Sequence, residues 1–494
     1  MRTGVIMVLW CTAATAGAQV QLGNEVLASG GFKELQGKRV GLITNPSGIN
    51  RNGESTIDLL RRAPEVKLLA LFGPEHGVNG DVKAGELIAE RTDRRTRLPV
   101  HSLYGATRKP TPAMLKGLDA LVYDLQDTGV RSYTFISTMG LAMEACAEAG
   151  VEFLVLDRPN PLGGERVEGP MVEDRFRSFV GQWNIPYAYG MTCGELARMI
   201  NGEGWIKSPC KLTVVRMIGW RRSMVWPDTG LAWVPTSPNV PRADSPLYYA
   251  ATGLFGEMAG GSGANIGTRL KRPFECVIAP WLDANQLSAA MNSLGLPGLR
   301  FPTFSVVHEG QRLHGVSLKI DDPVQAPLVA VNFYLLDAIR KASGHDVFAE
   351  AMKRNKDFQM FDKVCGSDEI RRDLKAGKTG SEIVHSWRSG EEAFRQRRQK
   401  YLLYADKAVA PEVAVDPKPR SSRESKATLS FPVNNSVPQS LPPLIITVSE
   451  GDYAAKIAEN FGIDASDIAL ANPGVNLNRL KVGQRLKIPR AQPK

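Results

Sequence analysis

Between residues 38 and 160, short apolar runs rich in β-formers alternate with stretches of helical character. The runs at 40–43, 66–72, 118–125 and 151–156 read as strands. Thr111-Pro112 reads as an N-cap followed by proline at the first helical position, where its missing N–H costs nothing. The amphipathic stretch 140–149 stops at Gly150, a C′ glycine. Strand–helix–strand alternation predicts a mostly parallel sheet covered by helices on both faces.

From 181 to 405 the pattern is more mixed. Thr192-Cys193-Gly194-Glu195 is a capping box that opens a helix over 195–200. Loops rich in Pro and Trp follow at 226–241, then strands and a last helical stretch ending at Tyr401–Tyr404. This predicts a second, α+β lobe. Residues 406–443, with Ala410-Pro411, Pro417-Lys418-Pro419 and Leu441-Pro442-Pro443, have no apolar period and read as a semi-extended linker. A small module fills 444–494. At the other end, Arg2, a short apolar core and Ala16-Gly17-Ala18 match a secretory signal peptide over residues 1–18. A lipoprotein reading at Cys11 is disfavoured by the bulky Trp10 before it. The expected order is therefore signal peptide 1–18, parallel-sheet lobe 19–180, second lobe 181–405, linker 406–443 and module 444–494.

The composition (43% apolar, 23% charged over 494 residues) is that of a folded, soluble chain. Its formal charge is +10, and export would remove Arg2 and no acid, lowering it by one to +9. A basic surplus favours polyanionic partners: nucleic acid, acidic lipid or anionic cell-wall polymers. Basic runs such as Arg395-Gln396-Arg397-Arg398 read as a solvated helix face, and the export signal argues against nucleic acid. Beyond residue 18 the cysteines are Cys146, Cys193, Cys210, Cys276 and Cys365. Without a CxxC pair they read as core packers rather than a disulfide framework or zinc site.

Ligands of parallel sheets bind beyond the carboxyl ends of the strands, and each end here carries polar residues. Thr44, Asn45 and Ser47 follow the first run, and Gly73-Pro74-Glu75-His76-Gly77 follows the second. Asp124, Gln126, Asp127 and Arg131 follow the third; Asp157, Arg158 and Asn160 follow the fourth. Taken singly, each acid can be explained as a helix cap or a partner of Arg131 or Arg158. Taken together they predict a site. Glu75 leads, because glycines flank it and His76 stands beside it to tune its proton affinity. Glu168, in Val167-Glu168-Gly169-Pro170, is a second carboxylate candidate. Paired carboxylates across a cleft suit glycoside cleavage.

Three motifs are set aside. His308 and His314 are six apart and do not share a helix face as HExxH requires, so no metal is expected. Gly261–Gly267 has the wrong spacing and position for a dinucleotide loop, so no cofactor is expected and a flexible site loop is the better reading. No GxSxG occurs, which removes an ordinary serine esterase.

Two resemblances sharpen the picture. Residues 444–489 resemble a LysM domain through Thr447–Asp452, Ile457–Gly462, Leu470-Ala471-Asn472-Pro473 and Leu480–Pro489. That resemblance implies a βααβ fold binding N-acetylglucosamine-containing glycans, with Gly451, Asp452, Tyr453, Asn472 and Pro473 at the groove. Tyr453 stands where the family usually has Thr. Residues from about 24 to 405 resemble the DUF1343 family, which includes NamZ-type exo-β-N-acetylmuramidases. The carriers are Gly41–Asn45, Phe72–Gly77, Asp124–Arg131, Leu156–Pro161, Val167–Pro170, Tyr189–Thr192 and Pro235–Asn239. This implies a Rossmann-like parallel-sheet lobe, a second lobe, an active cleft between them, no nucleotide, and release of terminal MurNAc from non-reducing ends of peptidoglycan. It implies Glu75, His76 and Glu168 as catalytic candidates. The substrate-binding candidates are Asn45, Gln126, Asp127, Arg131, Asp157, Arg158, Asn160 and Asn239. One stretch departs from the pattern: members often carry Glu-Gly-Thr-Asn and then Ser-x-Gly-Arg-Gly-Thr, whereas Leu254-Phe255 here leads into Gly256–Ser262.

The leading expectation is thus an exported peptidoglycan glycosidase tethered by its LysM module. The competing one is a non-catalytic cell-wall binding protein on a hydrolase-like fold, which the altered 256–268 loop keeps open.

Overall fold

A computed structural model describes residues 19–80, 82, 86, 91–354, 356–405, 444–447, 468, 471–473, 475 and 484–488. The expected signal peptide and linker lie outside these residues. The chain forms two compact units, one built from residues 1–51 and 55–407 and the other mainly from 408–494.

The first unit opens on a seven-stranded sheet. Its strands are β1 (Arg39–Thr44), β2 (Lys67–Gly73), β3 (Arg91–Thr92), β4 (Pro99–Ser102), β5 (Ala120–Asp124), β6 (Glu152–Leu156) and β7 (Leu212–Val215). They lie in the order β3-β4-β2-β1-β5-β6-β7, all parallel except β3 against β4. Central β5 and β6 are buried at every position, as continuous apolar runs predict. The chain crosses from β2 and β4 back over β1 to β5, so the topological switch lies beside β1. Helices α1 (Gly23–Ser29), α2 (Thr56–Arg62), α3 (Pro112–Leu115), α4 (Phe135–Ala149) and α5 (Cys193–Gly202) complete this lobe. The expected caps are present: Thr111 and Thr192 accept from the N3 amides of α3 and α5, and Gly150 ends α4 in the left-handed conformation. Because β7 pairs with β6, the sheet runs past residue 180, where the sequence reading ended this lobe.

The rest of the unit is helical around a small antiparallel sheet. Its strands are β8 (Cys276–Ala279), β9 (Leu299–Arg300), β10 (Thr303–His308), β11 (Gln311–Ser317) and β12 (Lys319–Ile320). Strands β10, β11 and β8 form one sheet, and β12 pairs with β9. The helices are α6 (Ser245–Ala259), α7 (Ala284–Asn292), α8 (Leu328–Ser343), α9 (Val347–Lys353), α10 (Gln359–Cys365), α11 (Glu369–Lys375), α12 (Gly380–Ser386) and α13 (Arg388–Arg398). Two of them, α6 and α8, carry the centre of this core, with Leu254, Phe255, Val331 and Phe333 fully buried. The five cysteines are free and buried, as core packers should be. No helix among the described residues is long and apolar enough to cross a membrane.

In the second unit, β13 (Leu444–Thr447) pairs antiparallel with β14 (Arg485–Ile488).

Candidate active site

Beyond Gly73 the chain turns sharply. The Gly77 amide donates to the Pro74 carbonyl (2.9 Å), leaving Glu75 and His76 at the centre of the turn. The third position of such a turn needs positive φ, a place that normally falls to glycine. Here His76 adopts it at φ 70°, and Gly77 follows at 76°. A non-glycine residue held there is strained, and such strain gathers at functional sites. The His76 ring is buried, and its Nδ1 lies 2.8 Å from the Val82 carbonyl. A carbonyl only accepts, so Nδ1 carries a proton.

The Glu75 carboxylate accepts the Thr134 hydroxyl (2.6 Å) and the phenol of Tyr104. Thr134 immediately precedes α4, which sets Glu75 at the positive end of that helix. Both hydroxyls donate to the Glu75 carboxyl group, which fixes its orientation in the turn. Burial first, and then the Glu75 charge, raise the Tyr104 pKa.

Glu75, His76, Tyr104 and Thr134 line a cleft of about 850 Å³, and α6 lines it too through Tyr249, Gly253, Gly256 and Glu257. These positions recur every three to four residues, so they share a helix face. Glu257 has no hydrogen-bond partner among the described residues, and burial raises its pKa against the opposing charge of Lys356. The Tyr249 side chain is half-buried, its phenol 2.8 Å from the Ser132 hydroxyl, and both Glu257 and Glu75 act on it electrostatically. The cleft therefore holds two carboxylates in different environments. The loop from 260 to 269 lines the same cleft, bringing in Asn265 and Arg269. Gly256 lets Ile266 of this loop pack close to α6: a Cβ there would meet Ile266 Cδ1 at 2.4 Å.

Among the residues expected from sequence, Glu75, His76 and Asn239 line this cleft. The others do not. Asp124 is buried against Arg158 (Oδ2 to Nη2, 3.0 Å) and accepts from Thr56. Arg158 also donates to the Ile49 carbonyl (2.8 Å). Asp157 caps α5 through the Gly194 amide (2.9 Å) and accepts Thr192 (2.7 Å) and Tyr404 (2.6 Å). Asp127 accepts the Gly129 amide (2.7 Å) and Tyr189. Burial pushes Asp127 and Asp157 each up to about 6. Gln126 donates to the Pro159 carbonyl (2.8 Å), Asn160 to that of Met191 (3.0 Å), and Asn45 accepts the Ser47 amide (2.9 Å). Arg131 donates to Pro170 (2.5 Å), Ile185 (2.6 Å) and Val364 (2.6 Å). These residues are held by hydrogen bonds within the protein body and do not line the cleft.

Glu168 is displaced as well. It lines a separate cavity of about 220 Å³, accepts the Val329 amide at the start of α8 (2.9 Å) and pairs with Arg166. Glu257, and not Glu168, lines the cleft with Glu75. The start of α6 is legible at Asp244-Ser245-Pro246, but nothing in its apolar run singles out Glu257. No group of three or more His, Cys, Asp or Glu among the described residues is arranged to hold a metal ion.

The comparisons match this architecture. Residues 40–244 match the family described as "Exo-beta-N-acetylmuramidase NamZ, N-terminal", and 247–404 its C-terminal counterpart. The chain belongs to the NamZ family. With that family it is a glycoside hydrolase. It is 42% identical over 425 residues to the peptidoglycan beta-N-acetylmuramidase NamZ of Bacillus subtilis, covering 81% of this chain and 98% of that one. A DUF1343 crystal structure from Bacteroides fragilis is similar at TM-score 0.72 and 46% identity, covering 78% of this chain and 99% of the other. A second from the same organism gives 0.61 and 29%, covering 79% and 100%. The NamZ boundary near 245 agrees with a first lobe that includes β7.

Residues 446–489 match the LysM domain. Gly451, Asp452 and Tyr453 lie outside the described residues, whereas Asn472 and Pro473 lie within them. The Asn472 side chain is buried, donating to the Ile468 (2.8 Å) and Lys487 (2.6 Å) carbonyls and accepting the Lys487 amide (2.7 Å). It fastens the loop to β14, which leaves Pro473, exposed beside it, as the groove candidate.

Proposed function

We propose that the protein is an exported, exo-acting β-N-acetylmuramidase. It removes terminal MurNAc from non-reducing ends of peptidoglycan glycans and of their disaccharide or muropeptide fragments. Its LysM module holds it on the polymer. The family match and the Bacillus relative support the substrate, and residues 1–18 support export.

The observation that carries the chemistry is the pair of unlike carboxylates in one cleft. Glu257 is partly buried and unbonded, so it is the proton donor to the glycosidic oxygen. Glu75, held by two hydroxyl donors, is the second carboxylate of the pair. His76 is a positioning residue that lines the cleft beside Glu75.

Two substrates test this assignment. A MurNAc glycoside with a nitrophenol leaving group needs little protonation, whereas a MurNAc–GlcNAc disaccharide needs it fully. Glu257→Gln should lose about 10²-fold or more on the disaccharide and far less on the nitrophenyl glycoside. Equal losses on both remove Glu257 as the acid. Mass analysis of longer glycans should show MurNAc released singly, and internal cleavage would contradict exo action.

A further inference from the structure

We infer that Arg269 and Arg354 form an anion subsite in the cleft wall that takes the carboxylate of the terminal sugar's lactyl ether. The inference rests on the muramidase reading and adds what selects the sugar.

The neighbouring arginines are committed elsewhere. Arg272 and Arg242 both pair with Glu275, at 3.1 and 2.8 Å. Arg131 and Arg166 donate to carbonyls inside the body. Arg269 and Arg354 differ: both line the cleft, both are exposed, and neither side chain makes an ion pair or hydrogen bond among the described residues. They arrive from separate elements. Arg269 sits in the 3-10 turn Thr268–Leu270, at the end of the loop, and Arg354 stands directly after α9. A Cβ on Gly261 would lie 4.0 Å from Arg354 Cβ, so Arg354 packs against the loop that carries Arg269.

Two arginines without ion pairs or hydrogen bonds among the described residues, both lining one cleft, offer a place for a carboxylate. Their planar forks match a carboxylate bidentately. The facing charges are Glu75 and Glu257, with Lys356 beside Glu257 and His76 beside Glu75. Glu75 is already bonded by Thr134 and Tyr104, so the arginines have no carboxylate of their own there. MurNAc is GlcNAc bearing a lactyl ether on O3, and its carboxylate is the one charge separating the two sugars. A subsite that reads that charge reads the identity of the terminal sugar.

The test uses the full chain with Arg269→Met, Arg354→Met and the double variant. Three nitrophenyl glycosides serve as substrates: MurNAc, its lactyl methyl amide, and GlcNAc. The wild-type protein should prefer MurNAc over the amide by about 10- to 100-fold, as charge-assisted bonds to a carboxylate imply. Each single variant should raise KM for MurNAc with little change in kcat. The double variant should bring MurNAc and the amide to parity, and its activity on the amide should match wild type. High salt should weaken the wild-type preference. An unchanged preference in the double variant, or equal losses on all three substrates, overturns the subsite. Calorimetric titration of free MurNAc and GlcNAc into wild type and double variant provides an arm independent of turnover. Discrimination in binding without cleavage of any glycoside would keep the subsite and refute the muramidase reading. Equal binding of both sugars by wild type would refute the subsite whatever the activity.

Discussion

Replacing Arg131 with Met should unfold the protein more readily without touching the chemistry. Arg131 is fully buried, and burial draws its guanidinium down to about 10, so it remains cationic at neutral pH. Its Nη atoms hold the carbonyls of Pro170, Ile185 and Val364, the last contributed by α10 of the second lobe. Methionine fills much of the space but satisfies none of the three. Each orphaned carbonyl costs roughly 1–3 kcal/mol, while the relief of a buried cation offsets part of the sum. The net loss should be about 3–5 kcal/mol, as for other broken buried charge arrangements. At about 2.1 cal/mol/K of unfolding entropy per residue, that lowers Tm by about 5 °C. Scanning calorimetry reads the shift, and KM for a soluble MurNAc glycoside, taken well below the transition, reads the site. An unchanged Tm with a raised KM would refute the framework role and return Arg131 to the substrate.

Two further outcomes follow from the same geometry. Glu391 accepts the Gly169 amide (2.7 Å), and burial, with Glu168 adding to it, pushes it up to about 7. An acid raised on folding contributes stability that is full below its unfolded pKa and lost as pH rises through the folded value. The protein should therefore lose stability between pH 4.5 and 7, by about 1–2 kcal/mol after discounting for solvent contact. Glu391→Gln keeps an acceptor for Gly169 and should flatten that part of the Tm–pH curve; an unchanged slope counts against it. Deleting residues 444–494 should lower retention on sacculi by about tenfold or more while leaving kcat/KM on a small glycoside unchanged. Equal losses on both would show that the module does more than tether.

Much of the fold was legible because it rests on local patterns. Uniform apolar runs gave buried parallel strands, Thr111 and Thr192 gave helix starts, and Gly150 gave a helix end. The 180 boundary missed because β7, with only Val215 buried, carries little of the apolar signal that marks β5 and β6. In the site, Gly-Pro-Glu-His-Gly pointed to Glu75 because its turn needs an unusual backbone, which sequence displays. Asp124, Asp127 and Asp157 misled for a physical reason. A carboxylate at a strand end reads the same in sequence whether it faces a ligand or caps a helix and holds a buried arginine or tyrosine. Only packing separates the two. Glu257 went unseen because its cleft-facing helix is apolar almost all round, with Leu254, Phe255 and Met258 fully buried beside it.

The most direct measurement compares Glu75→Gln with Glu168→Gln on a chromogenic MurNAc glycoside, each variant first shown to be folded. Glu75→Gln should lower turnover by at least about 10³-fold, and Glu168→Gln should leave it within a few-fold of wild type. A Glu75→Gln enzyme that still turns over, beside a dead but folded Glu168→Gln, would contradict the account and move the chemistry to the cavity beside Arg166.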